Sequence, residues 1–534
     1  MALVKIVTQQ QEQIIQQQEQ ITQQQEQIHL LREQVQCLKD EVARLKGNKP
    51  KPKIPPSNLG KDREKRKKRK RKRKGKRPGS AKRNKTAELK IHETVPVPPE
   101  DIPDGSRFKG YEDYTVQDIQ FCSHNTVYRL ERWETPDGKT VMGKLPEGVG
   151  VGHFGTTLVS FILYQHYHAL VTQPLILEQL QDVQVDISAG QLSRIITEGK
   201  ERFHAEKDEI LRVGLQVSPY IHVDDTGARH DGTNGYCTHI GNELFAWFQS
   251  TGSKSRINFL ELLRAGHGDY VVNEQALSYM LALKLPQAPL ARLAVLDERC
   301  LESRAQWEAL LAELGIREKR HVRIATEGAL LGSVLEHGVK PDMVVVSDDA
   351  GQFNLLLILH ALCWVHAERT INKLVGFNDE QREALEQIRT RLWDFYDALK
   401  AYKVTPSDKK KAALQVQFDD IFTTQTCFAT LNAALLRLHK NKSELLLVLD
   451  HPDIPLQNNL SERDIREYVK KRKISGSTRS ERGRRCRDTF ASLKKTCRKL
   501  GVSFWSYLKD RISGQDSISP LPILIQLQAE AVFP

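Results

Sequence analysis

The hydrophobic positions at the start of the chain repeat every seven residues. β-Branched residues recur at this interval from Val7 to Val42, and leucines follow the last three of them by three positions. β-Branched residues at position a with leucine at position d favour parallel two-stranded coiled coils. A lone amphipathic helix would have nothing against which to bury so narrow a stripe. We therefore expect residues 1–47 to form a leucine-zipper-like helix that makes a homodimer or a higher oligomer.

Further along, strand-like and helix-like patterns alternate, which predicts an α/β fold. Residues 220–223 form a short β-type run, and residues 343–346 form a continuous apolar run typical of a strand buried on both faces. Residues 155–212 have helical periodicity. Within them LILEQLQDV, a short turn and SAGQLSRIITEG are similar to a helix-turn-helix, although an ordinary helical hairpin fits equally well.

The charge is concentrated in two segments. The 534 residues carry a formal charge of +13, yet residues 61–85 hold 17 basic and 2 acidic side chains, and residues 463–499 hold 15 basic and 4 acidic ones. The rest of the chain is therefore acidic. Two cationic segments on an acidic body indicate a polyanionic partner.

The first cationic segment follows a cluster of prolines and contains almost no apolar residues, so we expect residues 48–90 to be a disordered arm until they bind. We predict an arm that binds phosphates of a polyanionic partner, and a solvated linker is the alternative. A basic-region zipper is excluded because its basic helix precedes the zipper without a break. The predicted phosphate contacts of the arm are Lys65, Arg66, Lys67, Lys68 and Arg69.

Other classes of protein are disfavoured. The longest apolar run, residues 355–365, is shorter than the roughly 18 residues that a membrane span needs, and the first residues lack the pattern of a secretory signal. The eight cysteines are scattered, which predicts reduced thiols. Cys122 and His124 have no second pair at zinc spacing, so we predict no zinc in the small module of uncertain fold at residues 91–150. These features favour a cytoplasmic protein.

Three acidic positions are candidates for metal chemistry. Asp224 and Asp225 follow the first predicted strand, and Asp348 and Asp349 follow the second. Neighbouring side chains on a strand point to opposite faces, so one member of each pair faces a shared site. Together with Glu462 in the first turn of a helix, two such aspartates could hold two Mg²⁺ ions, as in phosphodiester chemistry.

Each of these residues also has an ordinary structural explanation. Aspartate at the end of a strand is frequently a turn-former. Asn459 and Glu462 fit a capping box, in which the glutamate side chain returns to the backbone N–H of the first residue.

Four motifs occur in the order and context of a known family. HVDDTG, SDDAGQF, LCWVHAER and QNNLSERDIREYVKKRKISGSTRS make residues 150–510 resemble transposases of the insertion sequence 66 family, of the TnpC type. The resemblance implies an RNase H-like DDE catalytic domain with Asp224, Asp348 and Glu462 as catalytic and metal-binding residues. Asp225, which stands where the family usually has Glu, and Asp349 are second choices.

The resemblance also implies Mg²⁺, with Mn²⁺ as a possible substitute, transposon ends and target DNA as partners, and a role for accessory proteins that stays open. It implies cleavage of transposon ends and strand transfer into target DNA. The alternatives are an RNase H-like nuclease without strand transfer and an inactive DNA-binding protein derived from a transposase. Predicted DNA contacts near the third carboxylate are Asn458, Asn459, Arg463, Arg466 and Lys473.

Cys363 and His366 form a C-x-x-H pair near the start of a helical segment. Both side chains would share a helix face, so a metal is conceivable, and a buried thiol with a satisfied histidine is the favoured alternative.

The expected division of the chain is a coiled coil at 1–47, an arm at 48–90, a small module at 91–150, a helical DNA-binding region at 151–215, a catalytic domain at 216–510 with a helical insertion at about 360–450, and a tail at 511–534.

Overall fold

The structure is a computed structural model that describes residues 90–99, 104, 106–146, 152–296, 299–337 and 339–533. The predicted coiled coil lies outside the described residues. So does the predicted arm apart from its last residue, and with it the five predicted phosphate contacts from Lys65 to Arg69. No helix in the described part of the chain is both long and apolar enough to cross a membrane.

The first described segment contains one antiparallel hairpin and a group of helices follows it. The hairpin consists of β1 (Arg132–Glu134) and β2 (Thr140–Met142), with exposed side chains on both strands. The helices are α1 (Thr156–Leu163), extended by a π-helical turn at Tyr164–His168, then α2 (Gln173–Asp182), α3 (Ala189–Thr197) and α4 (Glu201–Val217).

Helices α2 and α3 coincide with the pattern that is similar to a helix-turn-helix. Helix α3 begins with a capping box in which the Ser188 side chain accepts from the Gln191 N–H and the Gln191 side chain accepts from the Ser188 N–H. Both helices bury their apolar stripes, including Ile176, Leu180 and Leu192, in the main hydrophobic core. A contact of either helix with DNA stays a prediction.

A five-stranded mixed sheet forms the centre of the molecule. Its strands are β3 (Tyr220–Gly227), β4 (Tyr236–Gly241), β5 (Ala246–Thr251), β8 (Val344–Ser347) and β9 (Leu359–Leu362), in the order β5-β4-β3-β8-β9. Strand β4 is antiparallel to both of its neighbours, whereas β3, β8 and β9 run parallel. The prediction of an α/β fold is confirmed.

Strand β3 is longer than its apolar run suggested. We expected a β-type run at residues 220–223 with Asp224 and Asp225 at its end and a turn at residues 226–227, and the position of this turn was wrong. Pairing with β4 continues as far as Gly227, which lies opposite Tyr236. The two aspartates therefore lie within a hydrogen-bonded strand, and their side chains project from opposite faces of the sheet.

The two faces of the sheet bury separate hydrophobic cores. Ile221, Val223 and Val345 belong to the main core, while Tyr220 and Val344 belong to a second core. This alternation along adjacent strands follows from the two-residue period of a β-strand. Because Asp224 is four residues from Tyr220, it lies on the face of the second core.

Two segments inserted between strands cover these faces. Residues 252–343 contain α5 (Arg256–Leu263), β6 (Tyr270–Val271), α6 (Glu274–Ala282), α7 (Gln287–Ala294), β7 (Cys300–Leu301), α8 (Arg304–Glu313) and α9 (Lys319–Glu336), and their apolar side chains join the main core. Strands β6 and β7 form a separate antiparallel pair. Sequence patterns did not reveal this insertion.

The second inserted segment is helical and builds the second core. It contains α10 (Trp364–Asn372), α11 (Asp379–Val404), α12 (Asp408–Phe422), α13 (Ala429–Lys440) and α14 (Lys442–Leu445). After it come α15 (Asn459–Ser475), α16 (Glu481–Lys499), α17 (Phe504–Ser513) and α18 (Leu521–Val532).

Helix α16 covers the edge of the sheet with polar side chains. Strand β5 is the edge strand, and the N–H groups of Ala246 and Ser250 donate to Thr496 Oγ1 at 3.2 Å and to Asp488 Oδ2 at 2.7 Å. Between them the Phe248 N–H donates to the Ser492 hydroxyl at 2.9 Å. An uncovered edge would leave these donors unpaired and available to another strand. The four-residue spacing along α16 matches alternate residues of the strand.

Several lysines of residues 463–499 are largely buried in ion pairs, whereas other cations of the segment, such as Arg463 and Arg466, are exposed. Asp464 pairs with both Lys495 and Lys499, at 3.2 and 2.9 Å. Glu467 pairs with Lys494, Lys495 and Arg498 at 3.0–3.2 Å. Each acid thus serves several cations between α15 and α16, and only part of this cationic segment is exposed.

Lys471 generates a prediction about stability. The side chain is 6% exposed and donates to the backbone carbonyl of His166 at 2.8 Å. Burial, together with the charges of Arg487 and Lys494, lowers its pKa from 10.5 to about 7. The folded chain therefore binds fewer protons than the unfolded chain between these values, so stability rises with pH across this window.

We expect Lys471→Met to stabilise the fold by about 1–3 kcal/mol at pH 6.5, after the loss of one hydrogen bond is deducted, and by much less at pH 9.5. Urea unfolding at both pH values measures the difference. The exposed Lys473→Met is the control and should change stability by less than about 0.5 kcal/mol. A gain for Lys471→Met that is equal at both pH values would contradict the assigned cause.

Candidate active site

The structure brings Asp224, Asp348 and Glu462 together at one end of the parallel strands. The register of β3 and β8 places His222 opposite Val346, so two residues further along the two strands Asp224 and Asp348 come next to each other on the same face. Glu462 is in the first turn of α15. The charges of both other carboxylates act on Asp224 and raise its pKa.

Asp224 is the electrostatic centre of this cluster. Burial is the largest cause that raises its pKa, to about 7, and the negative charges of Asp348, Glu462 and Asp225 raise it further. One hydrogen bond, from the N–H of Asp225 at 2.8 Å, opposes this. Three carboxylates therefore stand close together without enough positive charge to compensate them.

The second-choice aspartates have other partners. Asp225 points to the opposite face of β3, where it accepts from the Thr238 hydroxyl at 2.5 Å and from Gln352 Nε2 at 2.9 Å. The Asp349 side chain is 48% exposed and forms an ion pair with Arg437 at 2.6 Å. The geometry therefore favours Asp224 and Asp348 as the members of each pair that share a site.

Glu462 is held by a residue that sequence reasoning missed. Arg369 on α10 donates through both terminal nitrogens to the two carboxylate oxygens, at 3.0 and 3.3 Å. His366 Nε2 lies 3.7 Å from the same carboxylate. The signal was present in the LCWVHAER motif, where Arg369 follows His366 by three residues and so shares its helix face.

The capping box expected at the start of α15 does not form. The helix begins at Asn459 with Asn458 as its N-cap, and neither the Asn458 side chain nor the Glu462 side chain caps the helix. Glu462 turns instead to Arg369, because a bidentate charge-assisted pair is stronger than a bond to one backbone N–H.

Asn458 is a buried anchor, so the expectation that it contacts DNA needs correction. The residue is 1% exposed. Its Oδ1 lies 2.9 Å from His222 Nδ1, and its Nδ2 donates to the carbonyl of Val223 at 2.7 Å. The side chain is fully used within the protein and joins the start of α15 to strand β3, directly before Asp224.

The C-x-x-H pair does not converge on one point. Cys363 is buried, and its Sγ accepts from the backbone N–H of Asn458 at 3.0 Å, whereas His366 faces Glu462. Burial lowers the pKa of His366 and raises that of Cys363 to about 11, which favours the neutral forms of both. These contacts support structural roles for the pair.

The other predicted DNA contacts near Glu462 remain accessible to different degrees. Arg463, Arg466 and Lys473 are exposed on α15. Asn459 is half-buried, and its Nδ2 donates to Gln457 Oε1 at 2.7 Å. The exposed cations lie on the helix that carries Glu462, so a polyanion bound there would pass close to the carboxylates.

The carboxylate cluster fits divalent cations. Mg²⁺ prefers oxygen ligands, and all three side chains supply them. Burial and, to a smaller extent, the neighbouring carboxylates raise the pKa of Asp224, so its charged form is costly here, and a bound cation would reduce that cost. The three side chains do not form a set with all ligand atoms within 4.8 Å of one another.

The protein is thus an α/β protein whose mixed sheet carries a carboxylate cluster at one end. This cluster is a candidate metal-dependent site. Residues 324–485, from α9 into α16, match the family described as Transposase IS66 family. This match includes Asp348 and Glu462, whereas Asp224 lies before it.

A relative covers more of the molecule. The chain is 44% identical over 324 residues to the protein named "Uncharacterized protein y4jO" of Sinorhizobium fredii (strain NBRC 101917 / NGR234). The alignment spans 60% of this chain and 100% of that protein. The chain belongs to the IS66 family of transposases, which are DNA-processing enzymes.

Asp224→Asn tests the electrostatics of the site. Because the folded pKa of Asp224 is raised above 3.8, its charge destabilises the fold as pH rises from about 4 to about 7, and fully above that. In EDTA at pH 8 we expect the variant to be about 1–3 kcal/mol more stable than the original chain, with a gain less than half as large at pH 5. Urea unfolding at both pH values measures this.

Mg²⁺ should then raise the thermal unfolding temperature of the original chain at pH 8 and leave that of Asp224→Asn nearly unchanged, because the variant lacks the shared ligand. The exposed Asp349→Asn serves as a matched control and should keep the response to Mg²⁺. Equal stabilisation of all three proteins would show that the ions bind elsewhere.

Proposed function

We propose that this protein is a DDE transposase that cleaves the ends of its transposon in a Mg²⁺-dependent reaction and joins them to target DNA. The observation that carries the proposal is the meeting of Asp224, Asp348 and Glu462 at one end of the sheet, in a chain of the IS66 family. The three come from segments 124 and 114 residues apart, so only the fold could bring them together.

The sheet supports assignment of the catalytic domain to the RNase H-like class. Such domains have a five-stranded sheet in which the second strand alone is antiparallel, and the order β5-β4-β3-β8-β9 has this form. Their acidic residues lie on the central strand and on its parallel neighbour. Asp224 on β3 and Asp348 directly after β8 stand at these positions.

The metal ions would be held by the three carboxylates, with Asp224 shared and with Asp348 and Glu462 each completing one shell. Bound Mg²⁺ would supply charge neutralisation and an activated hydroxyl for phosphodiester chemistry, and Mn²⁺ could replace it. Water would first break the phosphodiester bond at each transposon end. The freed 3′-hydroxyl would then attack a target phosphodiester, so that one bond forms as another breaks.

Residues of this chain keep the carboxylates in place for that chemistry. Arg369 fixes both oxygens of Glu462, and Asn458 fixes the start of α15 on β3. Such pre-organisation lowers the cost of bringing reacting groups together. The exposed Arg463, Arg466 and Lys473 would contact the phosphates of a DNA end.

The assembly is also part of the proposal. A coiled coil at residues 1–47 would join two copies so that two DNA ends can be handled together, and the arm at residues 48–90 would hold DNA through its phosphates. The helix-turn-helix-like pair α2 and α3 would supply further DNA contacts. Accessory transposition proteins would be additional partners.

Substitution of the carboxylates tests the catalytic assignment. We expect Asp224→Asn, Asp348→Asn and Glu462→Gln to lower Mg²⁺-dependent cleavage of the transposon's own ends at least about 100-fold while binding of those ends persists, because each removes one ligand and leaves the shape unchanged. Gel-based cleavage and mobility-shift assays measure the two properties.

Asp349→Asn is the matched control, since Asp349 neighbours Asp348 but faces solvent. It should retain cleavage within about threefold of the original chain. If Asp349→Asn is inactive and Asp348→Asn is active, the assignment of that carboxylate is wrong. Cleavage by the original chain without joining to target DNA would favour the nuclease alternative, and binding without cleavage would favour an inactive DNA-binding protein.

The basic arm is tested by the salt dependence of DNA binding. The slope of log K against log salt concentration falls by about 0.9 for each phosphate contact. Replacing residues 61–85 by a Gly/Ser segment of equal length should therefore weaken binding and flatten the slope by about 4 or more, if at least five contacts are lost. An unchanged slope would show that the arm is only a spacer.

A further inference from the structure

A second cluster of metal-ligating side chains lies in the segment inserted between β5 and β8. His267 and Asp269 are in the turn between α5 and β6, and His337 caps the C-terminal end of α9. One ligand atom from each of the three lies within 4.8 Å of the other two. The proposed reaction uses none of them.

Cys300 adds a fourth candidate ligand. It is the first residue of β7, opposite Val271 of β6, and its Sγ lies 3.8 Å from Asp269 Oδ2. The thiol is free and exposed. Two imidazoles and one carboxylate thus form the cluster, and the thiol lies beside the carboxylate without being within 4.8 Å of all three ligand atoms.

The surroundings orient these ligands as supporting shells do in metal sites. The Ser333 hydroxyl donates to Asp269 Oδ1 at 2.8 Å, which leaves Oδ2 facing His337 Nε2, also at 2.8 Å. Hydrogen bonds of this kind fix the orientation of ligating carboxylates. The His337 and Asp269 side chains are 29% and 16% exposed, so an ion can enter from solvent.

The side chains must rearrange to accept an ion, because the Cys300 thiol has to approach the two histidines and the histidine rings have to separate. Tetrahedral zinc with bonds of about 2.0–2.3 Å separates its ligand atoms by about 3.3–3.7 Å, which is slightly more than the present distance between His337 and Asp269. The rings of His267 and His337 stack with centroids 3.4 Å apart and must splay apart to point at one ion. Gly266, with φ of +95°, and Gly268 flank His267 and give its backbone the freedom to move.

The donor set selects the kind of metal. Mg²⁺ and Ca²⁺ prefer oxygen ligands throughout, so two imidazole nitrogens and a thiolate disfavour them. Zinc is borderline-soft, accepts N, O and S ligands, and is usually four-coordinate in structural sites. The cluster supplies four protein ligands, which would close the shell.

We propose that His267, Asp269, Cys300 and His337 form a structural zinc site that fastens the inserted segment at residues 252–343. The ion joins the turn before β6, the start of β7 and the end of α9, which also contact one another through the β6–β7 pair, side-chain hydrogen bonds and apolar packing in the main core. It is separate from the carboxylate cluster, and it revises the expectation that the chain contains no zinc.

Metal analysis of the full-length protein tests the proposal. The protein is purified in the presence of Zn²⁺ and then desalted to remove free zinc. We expect about one zinc per chain by atomic emission. We expect at least a 10-fold weaker apparent zinc affinity for His337→Ala and for Asp269→Asn. Replacement by Co²⁺ should give thiolate-to-cobalt absorption that Cys300→Ser abolishes. None of these readouts depends on transposition, so they can fail independently of the proposed function.

Two controls make the result specific. His321 lies on α9, the helix that His337 caps, but outside the cluster. The variant His321→Ala should therefore leave zinc binding unchanged. Cys122→Ser with His124→Ala removes the N-terminal C-x-H pair and should also leave it unchanged. Zinc that is lost in this double variant but kept in His337→Ala would overturn the proposal, as would the absence of stoichiometric zinc in the original chain.

Folding is checked by circular dichroism of each variant before metal analysis. If His337→Ala does not fold, Cys300→Ser decides the matter, because Cys300 is exposed at a strand end and the exchange of sulfur for oxygen is nearly isosteric. A Cys300→Ser protein that folds and keeps both the zinc affinity and the cobalt spectrum of the original chain would also overturn the four-ligand site.

Discussion

The position of the third carboxylate depends on the hydrogen bonds between Asn458 and strand β3. Asn458 Nδ2 donates to the Val223 carbonyl, and Asn458 Oδ1 faces His222 Nδ1. Together these contacts fix the first turn of α15 relative to Asp224. A buried amide that lost either partner would cost about 1–3 kcal/mol, so sliding of the helix along the strand is penalised. Cys363 adds a third bond by accepting from the backbone N–H of Asn458. The bidentate pair between Arg369 and Glu462 holds the same turn from the side of α10.

The same kind of constraint explains why several lysines between two strongly cationic helices are buried. Helix α16 must place polar groups against β5, because an edge strand needs partners for its free N–H groups. Thr496, Ser492 and Asp488 meet that need at every fourth residue. The other faces of α15 and α16 then carry the lysines, whose burial is tolerated because Asp464 and Glu467 each serve several of them. Net charge along the sequence therefore overstates the charge that faces solvent.

The sequence predicted the fold class and the neighbourhood of the site better than it predicted the contacts. A continuous β-branched run predicted a buried strand at residues 343–346, and β8 occupies Val344–Ser347. The end of β3 was misjudged because its last residues are held by β4, and no local pattern reports a cross-strand partner. Arg369 and Glu462 are 93 residues apart, so their pairing depends on the packing of α10 against α15. The capping box failed for the same reason: tertiary contact gave Glu462 a stronger partner.

The distribution of charge sets a condition that the proposed function must meet. Burial is the largest cause of the raised pKa of Asp224, and the charges of Asp348 and Glu462 add to it; the same burial and repulsion would act on a DNA phosphate brought to this place. Arg369 compensates only Glu462, and its fork is already occupied by that carboxylate. The exposed Arg463 and Arg466 can attract a phosphate from outside but cannot neutralise Asp224 and Asp348 beneath it. On the proposed function, divalent cations are therefore required for substrate binding at the cluster as well as for chemistry, and metal-free protein would hold DNA through its peripheral cations while the scissile phosphate stayed away from the carboxylates.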